Sequence, residues 1–332
     1  MVIHDRAEVE KTHRVDSNAT RMSASAHVSV RIDLTRIRAN VLAVRAKVGV
    51  PVLPVIKADA YGHCAVEVAE AIKDVSDGFC VFSFEEAQSS DLHKLTNKPV
   101  LTLGPPQVRD IEIHVRHGVR PAVTTVEQAR ALREVHPILC VDTGMQRFAC
   151  PPELIDAVIE AGDIKEAFTH ATRVEHAEKL VELLGGRGMT LHAAATALLD
   201  EPRARLDAVR PGWAIYRGAA RVATNLVEVH DARGPAGYTG FTTTTNRHGV
   251  ILMGYSSGLR PGPCSVNGER RRVVEVGMQS AFVELGAGDR VGDEVVLLGD
   301  GVTESDVAAA WGGSPQEALT TLARSGRRTY RD

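Results

Sequence analysis

One lysine of the sequence is well placed for covalent chemistry. Lys57 follows an apolar run at residues 52–56, which predicts a short buried strand, and it lies in the segment VIKADAYGH at residues 55–63. Burial favours the neutral amine, and a neutral lysine is the form that Schiff-base chemistry requires. Taken alone, a lysine at this position is more often an exposed residue at the end of a strand. Only the neighbouring motifs can distinguish a catalytic lysine from an exposed one.

Four further segments carry basic or phenolic side chains beside glycines or predicted strand ends. They are VDTGMQR at 141–147, TH at 169–170, VRPGWAIY at 209–216 and GYSSG at 254–258. Arg147 and Arg210 could each be a surface arginine, and His170 could be a core histidine. Tyr255 has no special weight by itself. Each segment is a weak signal, but the four together with the Lys57 segment form an ordered set of five, which rarely arises by chance.

In the same order, and from about residue 28 to near the end of the chain, these segments resemble motifs of the alanine racemase family of pyridoxal-phosphate enzymes. The resemblance implies that Lys57 binds the cofactor covalently and that Tyr61 contacts its phosphate. It implies that Arg147 faces the cofactor hydroxyl and the substrate carboxylate. The other implied cofactor contacts are His170 near the ring, Arg210 at the pyridine nitrogen, the Thr196 hydroxyl at the phosphate, and the backbone N–H groups of Gly212 and Trp213, also at the phosphate.

Racemisation removes a proton from one face of the α-carbon and returns one to the other, so it needs two bases. The resemblance implies Lys57 for one face and Tyr255 for the other, with the Met278 backbone amide near the substrate carboxylate across a dimer interface. A free tyrosine has a pKa near 10 and needs positive or hydrogen-bonded support, for which His170 is the candidate. An arginine at the pyridine nitrogen suits a racemase better than a transaminase, because it keeps that nitrogen unprotonated.

Several positions depart from the family pattern, and they concern the substrate more than the cofactor. Cys140 stands where the family often has a lysine that pairs with the arginine at position 147, and Ala195 replaces an asparagine. Gln279 replaces an aspartate, and Gln316 aligns with a pocket-lining tyrosine. Loss of the bulky tyrosine at position 316 and shortened segments predict an enlarged pocket and hence an amino acid larger than alanine, in a specialised pathway.

Three alternatives remain open at this point. The chain could be a housekeeping alanine racemase, or another pyridoxal-phosphate enzyme of the same fold, such as a decarboxylase or an aldolase. It could also be a non-catalytic binding protein for the same cofactor. Single-barrel binding proteins of that kind lack a second β domain, and no catalytic cysteine or glycine-rich phosphate loop typical of the decarboxylases is evident late in this chain.

The elements that must position these residues follow an alternating pattern. Strand-like runs lie at 28–32, 52–56, 79–82, 100–103, 122–123, 138–141, 167–169 and 189–192, with helical patterns between several of them. This α/β alternation predicts a (β/α)8 TIM barrel at residues 28–233 that binds the cofactor, after an N-terminal extension at 1–27. The runs at 242–245, 248–253, 272–276, 282–285 and 294–298 predict a mostly β C-terminal domain at residues 234–332.

Composition narrows the class of protein. The 332 residues carry 39 basic and 42 acidic side chains, a net charge of −3, which predicts no nucleic-acid or membrane partner. The five cysteines are widely spaced without a C-x-x-C pair, so neither a disulfide framework nor a metal site is expected. Without a signal-peptide pattern, the expectation is a cytoplasmic homodimer with shared active sites that acts on a small amino acid.

Overall fold

The computed structural model describes residues 25–106 and 111–332, so most of the predicted N-terminal extension lies outside the described residues. The strands are β1 (Ser25–Asp33), β2 (Phe79–Val81), β3 (Val100–Thr102), β4 (Val119–Arg120), β5 (Ala122–Val123), β6 (Ile138–Cys140), β7 (Glu166–Phe168), β8 (Thr190–His192), β9 (Ala220–Asp231), β10 (Arg247–Ile251), β11 (Gly262–Val266), β12 (Glu269–Val276), β13 (Ala281–Glu284), β14 (Glu294–Leu298) and β15 (Gly326–Arg331).

The helices alternate with the strands in the first two thirds of the chain. They are α1 (Leu34–Val48), α2 (Lys57–Tyr61), α3 (Ala65–Ile72), α4 (Phe84–Ser89), α5 (Leu92–Thr96), α6 (Ile111–Arg116), α7 (Val126–Ala131), α8 (Ile155–Gly162), α9 (Val174–Leu184), α10 (Pro202–Arg205), α11 (Trp213–Tyr216), α12 (Glu304–Trp311) and α13 (Pro315–Ala323). Short 3-10 turns lie at Lys73–Val75, Arg133–Val135, Pro152–Leu154, Thr196–Leu198 and Tyr255–Ser257. No helix in the described part of the chain is long and apolar enough to cross a membrane.

The α/β part contains two parallel sheets, in the orders β2-β3-β4 and β5-β6-β7-β8, instead of the single closed sheet that the sequence predicts. Residues 52–56 form isolated parallel bridges, from Val52 to Val209 and from Val55 to Cys80, and not a strand. Proline explains both departures, because it has no N–H to donate to a ladder. Pro54 interrupts the first segment, and Pro121 separates β4 from β5.

The β domain is one eight-stranded sheet in the order β10-β13-β12-β11-β14-β9-β1-β15, and β10 also pairs with β9. Six of these strands therefore form a closed ring. The strand at the start of the chain, β1, pairs in parallel with β15 and antiparallel with β9, so this sheet includes strands on the N-terminal side of the predicted boundary at residue 234.

The predicted β run at residues 242–245 is wrong, because these residues form a turn. Thr244 explains the turn: its backbone N–H and its hydroxyl both donate to the Glu284 carboxylate, at 2.8 and 2.6 Å. A side chain that satisfies the local backbone in this way competes with strand pairing.

Candidate active site

The segment after Lys57 is a left-handed turn, which is unusual for residues other than glycine. Ala58, Asp59, Ala60 and Tyr61 have φ angles between +53° and +56°. Side-chain contacts hold the turn in place. The Asp59 carboxylate accepts from the Ala65 N–H at 2.9 Å and pairs with Arg328 at 2.6 Å. Arg324 donates to the Ala58 carbonyl oxygen. Tertiary contacts therefore fix the direction in which the chain leaves Lys57.

The Lys57 amine lies in a partly buried, electropositive environment. Burial is the main cause that lowers its pKa, and the charge of Arg147 and, more weakly, that of Arg210 lower it further. The Glu86 carboxylate opposes them. A lysine in such surroundings loses its proton more readily than a solvated one, and the neutral amine is the form that acts as a nucleophile or base.

Gly212 lies beside both Tyr61 and Thr196, and Trp213 follows it in the chain. A Cβ added to Gly212 would collide with the Tyr61 hydroxyl, so only glycine allows this close approach. The Thr196 hydroxyl accepts from the backbone N–H groups of Gly212 and Ala214, each at 3.2 Å. Burial raises the pKa of Tyr61 to about 12, so its hydroxyl remains a donor. This end of the site therefore offers the Tyr61 and Thr196 hydroxyls as donors to an anionic group, while the Gly212 N–H donates to Thr196.

Arg210 is buried, with 2% of its surface exposed. One guanidinium nitrogen donates to the Thr169 carbonyl oxygen at 2.5 Å, and the group lies 4.5 Å from the centre of the Phe168 ring. Its Nε–H has no hydrogen-bond partner among the described residues. A buried charged donor left unpaired is costly, so this N–H is suited to an acceptor that the protein itself does not supply.

His170 is neutral at pH 7. Burial, followed by the charges of Arg210 and Arg147, lowers its pKa to about 4. Of the two kinds of support proposed for Tyr255, positive charge or a hydrogen bond, His170 is therefore suited to the second.

Arg147 is exposed and forms no ion pair with the described residues; its guanidinium lies 5.9 Å from the centre of the Phe148 ring. Phe148 in turn has an edge contact with Phe82, with ring centres 6.2 Å apart. Cys140 is buried, and burial raises its pKa to about 12, so its thiol carries no negative charge toward Arg147. The arginine is consequently available to an external carboxylate.

Tyr255 and Met278 lie together in the β domain, and Tyr255 is not among the groups that shift the pKa of Lys57. The Tyr255 N–H donates to the Gly277 carbonyl oxygen at 2.9 Å, and the Ser256 N–H donates to that of Met278 at 3.0 Å. The two residues are 56% and 61% exposed. Within the described part of one chain, the site residues thus form two groups, one on the α/β part and one on the β domain.

The group on the α/β part fits pyridoxal phosphate. It offers a partly buried amine with a lowered pKa, an unpaired buried arginine N–H and the Tyr61 and Thr196 hydroxyls beside Gly212. These suit, in turn, the aldehyde, the ring nitrogen and the phosphate of that cofactor.

Glu86, which none of the sequence motifs includes, lies directly at this site. Glu86 belongs to the pair Glu85-Glu86, and only Glu85 is exposed. The Glu86 carboxylate accepts from the Ala58 N–H at 2.8 Å and from the Phe82 N–H at 2.7 Å. The spacing from Ser83, the helix N-cap, to Glu86 resembles a capping box. Such a pattern indicates a local role at the start of the helix and gives no sign of the contact with Ala58.

Comparison with known proteins identifies the family of both parts of the chain. The family model for the N-terminal domain of alanine racemase matches residues 32–220, and that for its C-terminal domain matches residues 219–330. The alanine racemase of Neisseria meningitidis serogroup A is 29% identical over 345 residues, covering 90% of this chain and 97% of that protein. That of Pectobacterium atrosepticum is 30% identical over 334 residues, covering 86% and 92%.

Solved structures show the same fold. The biosynthetic alanine racemase from Pseudomonas aeruginosa has a TM-score of 0.84 at 24% identity, covering 93% of this chain and 100% of that one. The alanine racemase from Bartonella henselae, solved with covalently bound pyridoxal phosphate, has a TM-score of 0.80 at 23% identity, covering 92% and 100%. Site and comparisons together define a pyridoxal-phosphate-dependent racemase, which is an isomerase. The chain belongs to the alanine racemase family.

Proposed function

We propose that this racemase inverts the α-carbon of a free amino acid with Lys57 and Tyr255 as bases on opposite faces. Pyridoxal phosphate, when bound, supplies the electron-withdrawing ring that makes the α-proton removable. Lys57 holds the cofactor and exchanges a proton at its Nζ. Tyr255 exchanges one at its phenolic oxygen, and His170 supports it by a hydrogen bond.

The remaining site residues bind and orient. Arg147 takes the substrate carboxylate, for which its lack of an ion pair among the described residues leaves it available. Arg210 directs its unpaired N–H to the pyridine nitrogen. Tyr61, Thr196, Gly212 and Trp213 hold the phosphate through hydroxyl and backbone groups, and the Met278 amide is the second carboxylate contact.

We infer that each complete site is shared between two copies of the chain. The observation that carries this inference is the position of Tyr255 and Met278, which are exposed together on the β domain while Lys57 lies among groups of the α/β part. A head-to-tail dimer would bring the β domain of one copy to the lysine of the other. The parallel bridges at Val52 and Val55 favour a closed barrel as the frame that presents Lys57.

Two substrates are candidates. A neutral Cys140 and an exposed Gln316, in place of a pairing lysine and a pocket tyrosine, favour an amino acid larger than alanine. The curated relatives, which are alanine racemases at 29–30% identity over most of the chain, favour alanine itself.

Deuterium exchange distinguishes these possibilities. The purified holoenzyme is incubated with separate L- and D-amino acids in deuterated water, and α-deuterium is measured together with chirality. Exchange with inversion supports the proposal, and the best substrate identifies the side chain. Exchange without inversion for every amino acid, or no exchange at all, would reject the two-base racemase. Fastest turnover of alanine would reject the larger substrate.

A further inference from the structure

The carboxylate of Glu86 connects the turn after Lys57 to the neighbouring strand. One oxygen accepts from the N–H of Ala58 at 2.8 Å, and the other accepts from the N–H of Phe82, directly after β2, at 2.7 Å. Hydrogen bonds from backbone donors to a carboxylate are among the stronger ones in proteins. The residue that follows Lys57 is thereby fixed to the rigid end of a strand.

Glu86 also differs in charge from the groups around the Lys57 amine. Those groups are Arg147, Arg210, His170, Cys80 and Glu86. Both arginines are positive, His170 is neutral, and burial raises the pKa of Cys80 to about 12, so its thiol is neutral as well. Among these groups, Glu86 supplies the negative charge.

We propose that Glu86 is a positioning residue, which holds Lys57 through the backbone of Ala58 and offsets the two arginines so that Lys57 remains a competent base. The proposal rests on the proposed function, in which Lys57 both loses and regains a proton. A base weakened too far by positive neighbours no longer accepts a proton efficiently, so its surroundings need an anion as well as cations.

Three variants separate the two contributions. Glu86→Gln keeps the size of the side chain and removes its charge, and it retains one of the two acceptor oxygens. Glu86→Asp keeps the charge, but its shorter side chain cannot span both N–H groups. Glu85→Gln is the matched control, because Glu85 is the exposed neighbour on the same helix.

Two measurements are made on the full chain. The first is the pH dependence of Lys57 acetylation by acetic anhydride after removal of the cofactor, followed by mass spectrometry. The second is the pH profile of kcat in the holoenzyme. In Glu86→Gln, the labelling midpoint should move to lower pH and kcat should fall about tenfold or more. Glu86→Asp should keep the midpoint near that of the wild type but lose kcat, and Glu85→Gln should change neither.

The outcomes that would overturn the proposal are distinct. If Glu86→Gln lowers thermal stability and kcat while the labelling midpoint stays at the wild-type pH, Glu86 has a structural role only. If Glu86→Asp keeps wild-type kcat, the positioning role is wrong, and this holds even where Glu86→Gln fails to fold. The labelling needs no substrate, so a failure of the proposed racemisation would appear in the wild-type holoenzyme without deciding the role of Glu86.

Discussion

The contact between Gly212 and Tyr61 gives the sharpest quantitative test of the proposed phosphate end of the site. In Gly212→Ala, the new Cβ would overlap the Tyr61 hydroxyl. The ring has little room to move, because it packs 4.9 Å from the Tyr216 ring and its backbone lies in the left-handed turn. Overpacking of this kind costs about 1–3 kcal/mol, so we expect the free energy of unfolding to fall by about that amount. If Tyr61 is displaced from the phosphate, cofactor affinity falls as well.

A second substitution shows whether the hydroxyl is the cause. Tyr61→Phe removes the oxygen, and the nearest remaining ring atom, Cζ, lies 3.2 Å from the position that a Cβ at Gly212 would take. A shift of a few tenths of an ångström relieves that contact. The double variant should therefore recover most of the lost stability, with a coupling energy of about 1–2 kcal/mol.

Gly288→Ala is the control for both substitutions, because a Cβ there meets nothing within 4 Å. Urea unfolding of the cofactor-free chain measures the stability of each variant, and fluorescence titration with pyridoxal phosphate measures its cofactor affinity. Strictly additive losses in the double variant would refute the reasoning.

Three further predictions test the site as a whole. Mixing inactive Lys57→Ala and Tyr255→Phe chains should restore roughly a quarter of wild-type activity, because half of the dimers are mixed and each mixed dimer has one intact site of two. If activity does not recover after proven subunit exchange, both bases of a site belong to one chain. Burial lowers the pKa values of His63 and His170 from 6.5 to about 4. Between these pH values the unfolded state binds more protons than the folded state, so the free energy of unfolding should decrease as pH falls from 6.5 toward 4. His63→Gln should make this decrease shallower in urea titrations, and an unchanged pH dependence would contradict the assignment. Gln316→Tyr should shift kcat/KM toward alanine by about tenfold, and an unchanged preference would exclude a pocket contact at this position.

Local patterns were sufficient to predict many of the elements. The alternating Val28, Val30 and Ile32 predict a strand, and all three are buried in β1. The partners of that strand could not be predicted in the same way. β1 pairs with β15, nearly the whole chain away, and a periodic pattern indicates which face is buried but not which strand lies beside it.

The left-handed turn after Lys57 is the part of the site that residue types could not predict. Alanine and tyrosine rarely adopt positive φ angles, so nothing in the segment ADAY signals this conformation. It is imposed from outside, by contacts from Glu86, Arg324 and Arg328. The motif indicated which residues would form the site, whereas their geometry depends on side chains distant in sequence.

The contacts that stabilise this strained turn come partly from the C-terminal segment, so they link the position of Lys57 to the second domain. Left-handed backbone costs about 1–2 kcal/mol for each such residue, so four in succession require compensation. Arg324 and Arg328 supply part of it from the C-terminal segment, by donating to the Ala58 and Gly62 carbonyl oxygens and by pairing with Asp59. The position of Lys57 therefore depends on the β domain of its own chain. In the proposed dimer, the same domain also supplies Tyr255 to the partner's site, so neither base would be correctly placed without an intact C-terminal domain.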